Sequence, residues 1–226
     1  ADSHEGEGAS PPPLADIWVI TPLQGHTGEF EAALRDHLAV RKAAGDPRDW
    51  DTYTVAVGEE VGTYGVRSCC FGWADHDAYM EWSNGTELQT HWNENVHPHV
   101  DSYEHYLDVI DWENSHWPTD GGDWNFVGVT KWNPKPGDGP ARGEAIKKMS
   151  TMARENGWDS RWIWMSSMGG PANLMLAVPH KNFADMAPPE MSFYDFMVKH
   201  SSEEVASSTL QAFSNSFWGS EYTVYQ

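Results

Sequence analysis

The chain has 226 residues, room for one large domain or two small ones, and its 39% hydrophobic content with 13 Trp excludes wholesale disorder. Against 14 Lys and Arg stand 34 Asp and Glu, a formal charge of −20 that repels nucleic-acid backbones and anionic membrane surfaces. Mean hydropathy is −0.61 and no apolar run approaches the roughly 18–20 residues that span a bilayer as a helix.

Residues 1–13, acidic and closing on a Pro triplet, read as a flexible tail. The start Ala-Asp-Ser-His has the look of a chain trimmed behind a signal sequence, so export to a periplasmic or extracellular space is expected. Residues 17–20 (Ile-Trp-Val-Ile) form a short strand closed by Pro22 and Gly25. Phe30, Ala33, Leu34 and Leu38 then recur at helical spacing, from Thr27 as N-cap to Gly45 as stop. Residues 53–57 and 65–71 flank a turn at 58–62 and predict a hairpin. The two cysteines, Cys69 and Cys70, fall in its second strand, where adjacent side chains leave opposite faces. Two unpaired thiols, one buried, are therefore expected. A second helix opens near Asp75, carries Tyr79 and Trp82, breaks at Gly85 and resumes through Leu88 and His91, before a strand at 107–110.

After a linker at 117–122 the same order recurs: a strand at 126–130, a helix at 141–155, strands at 161–165 and 174–178, a helix at 193–217 and a strand at 222–225. Each copy predicts a β-α-β-β-α-β unit whose sheet needs cover on its free face. The expected architecture is α+β. Two tandem ferredoxin-like halves, residues 14–116 and 123–226, pack sheet to sheet as a pseudo-dimeric α/β barrel, with open edges through which a homodimer can form.

This topology, with the stretch from Trp73 through Trp82 to His91, resembles the dimeric α/β-barrel superfamily, specifically the antibiotic-biosynthesis-monooxygenase-like domains that include haem-degrading monooxygenases. The resemblance implies a catalytic pair, Trp73 as the ring-distorting indole and His91 as the haem ligand. The Asn of the first strand in those relatives has no counterpart here, the nearest positions being Trp18 and Thr21.

Nine of eleven histidines precede Gly121, and His91, His97, His99 and His105 crowd into one short stretch, which places a site in the first half. Trp18, Trp73, Trp82 and Trp92, with His37 and His91, are candidates to line a sheet–helix cavity for an aromatic small molecule. His91, His97 and His99 are candidate copper or zinc ligands, because neutral imidazoles suit borderline metals. Packing accounts for the same residues as well: indoles fill sheet faces, and imidazoles beside Pro98 structure a turn. His26 and His76 read as surface or capping residues. The first 120 residues carry 23 acidic against 5 basic side chains, and no nucleophile elbow, phosphate loop or His-Glu-x-x-His motif is present. The functional expectation is an exported small-molecule-binding, monooxygenase-like protein using haem or an aromatic ligand. The alternatives are a non-enzymatic assembly module and a His-based metal protein.

Overall fold

A computed structural model describes residues 11–117 and 122–226. Most of the expected tail, residues 1–10, and residues 118–121 of the expected linker lie outside the described residues. Strand β1 (Leu14–Pro22) is followed by helix α1 (Thr27–Ala43), strands β2 (Asp51–Val57) and β3 (Tyr64–Phe71), helix α2 (Trp73–Asn84), a one-turn helix α3 (Leu88–His91) and strand β4 (Val100–His116). A π turn at Trp92–Val96 and a 3-10 turn at His97–His99 link α3 to β4. Strand β5 (Phe126–Pro134), helix α4 (Gly139–Glu155), strands β6 (Trp162–Met168) and β7 (Leu174–His180), helices α5 (Phe193–His200) and α6 (Glu203–Ser214) and strand β8 (Phe217–Tyr225) complete the chain.

The eight strands close into one antiparallel barrel in the order β1-β3-β2-β8-β5-β7-β6-β4. Within it, β4-β1-β3-β2 and β8-β5-β7-β6 run as two sets of four, joined where β2 meets β8 and β4 meets β6. Closure pairs both edges of every strand, so the edge-to-edge homodimer expected from the sequence has no open edge among the described strands. Strand β4 is far longer than the four residues the sequence marked, because its 17 residues pair with β1 along one stretch and with β6 along another.

Alternation of side chains along β1 divides two environments. Ala15 enters the barrel interior with Ile110, Ile163, Met165 and Ala177. Ile20 faces outward, where α1 covers it with Phe30 and Leu34 beside Tyr64 and Val66. Helix α1 follows from spacing: Phe30, Leu34 and His37 are its buried positions, Glu29 sits in its first turn, and Arg41 and Lys42 complement the dipole in its last. The second set of strands is covered in the same way, by Ile146, Met149 and Ala153 of α4 together with Met197 and Ala206 against Trp162 and Trp164.

Two sequence expectations are corrected. The single helix at 193–217 is two, because the Ser202 hydroxyl accepts the Val205 backbone N–H at 3.2 Å and starts α6 afresh, after which the chain re-extends at Phe217. Cys69 and Cys70 are not unpaired thiols with one buried; they form a vicinal disulfide and both are exposed.

Phe30 is fully buried in the front core, so Phe30→Ala is expected to cost about 3–5 kcal/mol, read as a lowered urea midpoint with an unchanged slope. Thiol titration of the denatured, unreduced chain is expected to find no reactive thiol, and two after reduction.

Candidate functional site

A cavity of about 570 Å³ opens between the β4-β1-β3-β2 strands and the helices that cover them. Strand β1 sends Asp16, Trp18 and Ile20 into its floor, and β4 adds Tyr103 and His105. Helix α1 contributes Leu34, His37 and Arg41, helix α2 contributes His76 and Tyr79, and Trp50 and Trp92 close the sides. The matching space of the second set is filled by rings: Trp132, Trp164, Phe213 and Phe217 pack with centroids 4.9–5.8 Å apart.

Asp16 is the electrostatic centre of the cavity. It lies mid-sheet with only 3% of its surface exposed, an environment that a carboxylate tolerates only when both oxygens are bonded. Arg48 Nη1 donates to Oδ2 at 2.7 Å, and His105 Nε2 donates to Oδ1 at 2.8 Å. The guanidinium lies between Phe71 and Tyr79, 3.7 and 3.6 Å from the two ring centroids. Its Nη2 donates to His76 Nδ1 at 2.9 Å. Because guanidinium nitrogens only donate, His76 accepts at Nδ1 and carries its own proton on Nε2. The result is a rail of four groups, His105, Asp16, Arg48 and His76, along the cavity floor. A second cation, Arg41, is held by Asp46 at 2.6 Å and donates to the Tyr79 hydroxyl.

His37 Nδ1 lies 3.0 Å from His91 Nδ1. Burial first, then the neighbouring Arg41 guanidinium and His91, push His37 down to about 4. Trp18 stacks on His105 with centroids 4.0 Å apart and planes 13° from parallel.

Of the sequence candidates, Trp18, His37 and Trp92 lie in the cavity wall. Trp73 is corrected: as the first residue of α2 it projects outward, 54% exposed, and is not part of the wall. Trp82 is corrected too, packing on Tyr79 behind the wall, and His91 stands behind His37. His91, His97 and His99 do not converge. They turn to His37, the Tyr103 hydroxyl and His26 respectively, and among the described residues no group of three or more His, Cys, Asp or Glu is placed to hold a metal. His76, read as surface or capping, is a wall residue bonded to Arg48. His26, read the same way, does stand at the N-cap of α1 but makes no side-chain cap bond, its ring facing His99. Sequence reasoning missed Asp16, Arg48 and the role of His105. The available signal was a carboxylate one residue before an apolar strand, in a half of the chain with 5 basic residues.

Haem, which the resemblance implies, does not fit these residues. The imidazole at the ligand position is turned to His37 outside the wall, and Arg41, the one guanidinium of the wall, is already bonded to Asp46 and Tyr79, so the carboxylates of haem meet no free cation there.

No protein-family model and no curated protein matches the chain. Among solved structures it is similar to a proposed monooxygenase from Fusobacterium nucleatum, at 12% identity over 96% of this chain and 93% of that one, with a TM-score of 0.58. It is also similar to a proposed monooxygenase from Lactobacillus acidophilus, at 13% identity over 95% and 93% of the two chains, with a TM-score of 0.55. A mutant chlorite dismutase from Candidatus Nitrospira defluvii aligns at 6% identity over 94% and 91%, with a TM-score of 0.53. The chain shares the fold of these structures, which in this protein is a closed antiparallel barrel of eight strands covered by helices. Among the described residues no helix is long and apolar enough to cross a membrane.

Arg48→Met leaves the buried Asp16 without its cation and is expected to cost about 3–5 kcal/mol, with much of that regained in Asp16→Leu/Arg48→Met, measured by chemical denaturation. The pH dependence follows from His37. Between its ordinary value of 6.5 and about 4 the unfolded chain holds a proton on this ring that the folded chain lacks, so stability falls as pH falls through that window. In a His37→Phe variant the slope of unfolding free energy against pH over that window is expected to flatten.

Proposed function

We propose that the chain is an exported small-molecule-binding protein that takes a flat, uncharged aromatic molecule into the cavity of its first half. The observation that carries this reading is the cavity itself. Its volume of about 570 Å³ falls within the roughly 300–1,000 Å³ usual for ligand sites, and Trp18, Trp50, Tyr79, Trp92 and Tyr103 give it aromatic surface, with polar side chains such as His76, His97 and His105 set among them. The charge of −20 disfavours an anionic ligand, and the ion pairs of Asp16 and Arg41 leave the wall with no net call for one. The likeness in fold to proposed monooxygenases is consistent with a small-molecule ligand. Export draws support from the exposed Cys69–Cys70 disulfide, since disulfides persist in oxidising compartments.

The same reading takes the barrel as two tandem ferredoxin-like units, residues 14–116 and 123–226, a division supported by the matching strand orders β4-β1-β3-β2 and β8-β5-β7-β6. One unit keeps a hollow and the other fills it.

The test is titration of the full chain with 2-hydroxyanthraquinone, a three-ring uncharged aromatic, read by quenching of Trp fluorescence. Saturable quenching is expected, weakened by about tenfold in Trp18→Leu and unchanged in Trp73→Leu. Loss of binding in Trp73→Leu with none in Trp18→Leu would move the site to the position the family resemblance implies. Absence of quenching would leave the proposal without support.

A further inference from the structure

The rail on the cavity floor has a free end. Asp16 accepts at both oxygens and Arg48 can only donate, so the proton shared with Asp16 Oδ1 belongs to His105 Nε2. That leaves His105 Nδ1 as the ring nitrogen with a lone pair, on a side chain 40% exposed and lining the cavity beside Trp18. His105 makes no other side-chain hydrogen bond among the described residues. A buried carboxylate holding one nitrogen of a cavity-lining imidazole, with the other nitrogen bonded to no side chain among the described residues, is the arrangement of a general base and its orienting group.

We propose that His105 is a proton-accepting residue of this cavity, that Asp16 is its positioning residue, and that the ligand class is hydroxylated aromatics bound as phenolates. The inference rests on the aromatic-ligand reading above and gives the ligand its reactive group. In the step, the ligand O–H bond breaks, its proton forms an N–H bond at His105 Nδ1, and the electron pair stays on the ligand oxygen. No electron leaves either partner. The imidazolium so formed keeps its Nε2–H on Asp16, and its ring lies in a nearly parallel stack with the indole of Trp18, centroids 4.0 Å apart. The phenolate then lies beside that imidazolium, and at the other end of the rail His76, protonated on Nε2, is a donor of the same wall. Arg48 screens Asp16 from the new negative charge, so the rail accepts an anion in a chain that otherwise repels one. His37 is the competing base of the wall, but its Nδ1 is engaged with His91 and it lies outside the rail.

The experiment uses the full chain with 2-hydroxyanthraquinone, whose ionisation moves its absorption to longer wavelength in the visible, at a pH well below the midpoint of the free probe. The expected result is a phenolate band in the bound probe; in His105→Gln the band is lost and quenching is weakened but still saturable, the probe then binding as the neutral phenol. His105→Gln keeps an N–H to donate to Asp16 and cannot take the proton, and the partial exposure of the side chain favours folding of the variant. Quenching without the band in the unaltered chain overturns the base and leaves the binding reading standing; no quenching at all overturns the binding reading itself. A band that persists in His105→Gln overturns the assignment to His105. For Asp16, nitrogen-15 NMR of the unaltered, probe-free chain is expected to show His105 protonated on Nε2 with Nδ1 bare. The opposite tautomer removes Asp16 from its role without any variant having to fold.

Discussion

A carboxylate placed on the helix-covered face of a central strand is the constraint from which the front half of this molecule is organised. Asp16 sits in β1 between β3 and β4, almost wholly buried, and a charge left unpaired there is costly. Arg48 therefore has to reach inward from the connection between α1 and β2, and its flat guanidinium needs rings on both faces, which Phe71 and Tyr79 supply. Tyr79 is held in turn by Arg41, and Arg41 by Asp46. Aromatic packing and ion pairing thus build one wall together, and a space lined by groups already bonded to each other does not collapse as a purely apolar one would.

Much of this was legible in the chain and some was not. Local features were readable: the helical spacing of Phe30, Leu34 and His37, the break at Gly85, and the hairpin turns, of which Gly169 and Gly170 both adopt positive φ, as a tight return between β6 and β7 requires. The dimeric α/β-barrel resemblance is reflected in the solved neighbours. The site was readable only as a region. His105 was visible as one of a crowd of histidines, but its partner Asp16 lies 89 residues away, and no spacing rule connects them. Trp73 and His91 carried the motif yet depend on how α2 and α3 rotate, and a rotation of one residue decides whether a side chain faces the sheet or solvent. The disulfide was missed because extended geometry sends neighbouring side chains to opposite faces, whereas Cys69 and Cys70 are bonded to each other here.

The two sides of the barrel divide the physical roles. Around α4, α5 and α6 the indoles of Trp132, Trp162 and Trp164 interlock with Phe213, Met149 and Met197, and polar needs are met singly, as where Trp164 Nε1 donates to the Ser150 hydroxyl at 3.1 Å. Around α1 and α2 the rings also pair, as Phe30 with Tyr64 and Trp92 with Tyr103, but they leave a cavity between sheet and helices. A void lined by large side chains sacrifices contacts on one side of each of them, so the front is intrinsically the weaker half.

Strand β4 makes that weakness tolerable. Because it is hydrogen-bonded to β1 on one edge and to β6 on the other, the hollow layer cannot loosen without peeling a strand from the dense one. Wall residues outside the Asp16–Arg48 pair thereby carry less of the fold, and substitutions among them can retune what is admitted while the dense rear keeps the chain above its folding threshold. The barrel behaves as a rigid chassis with one exchangeable compartment.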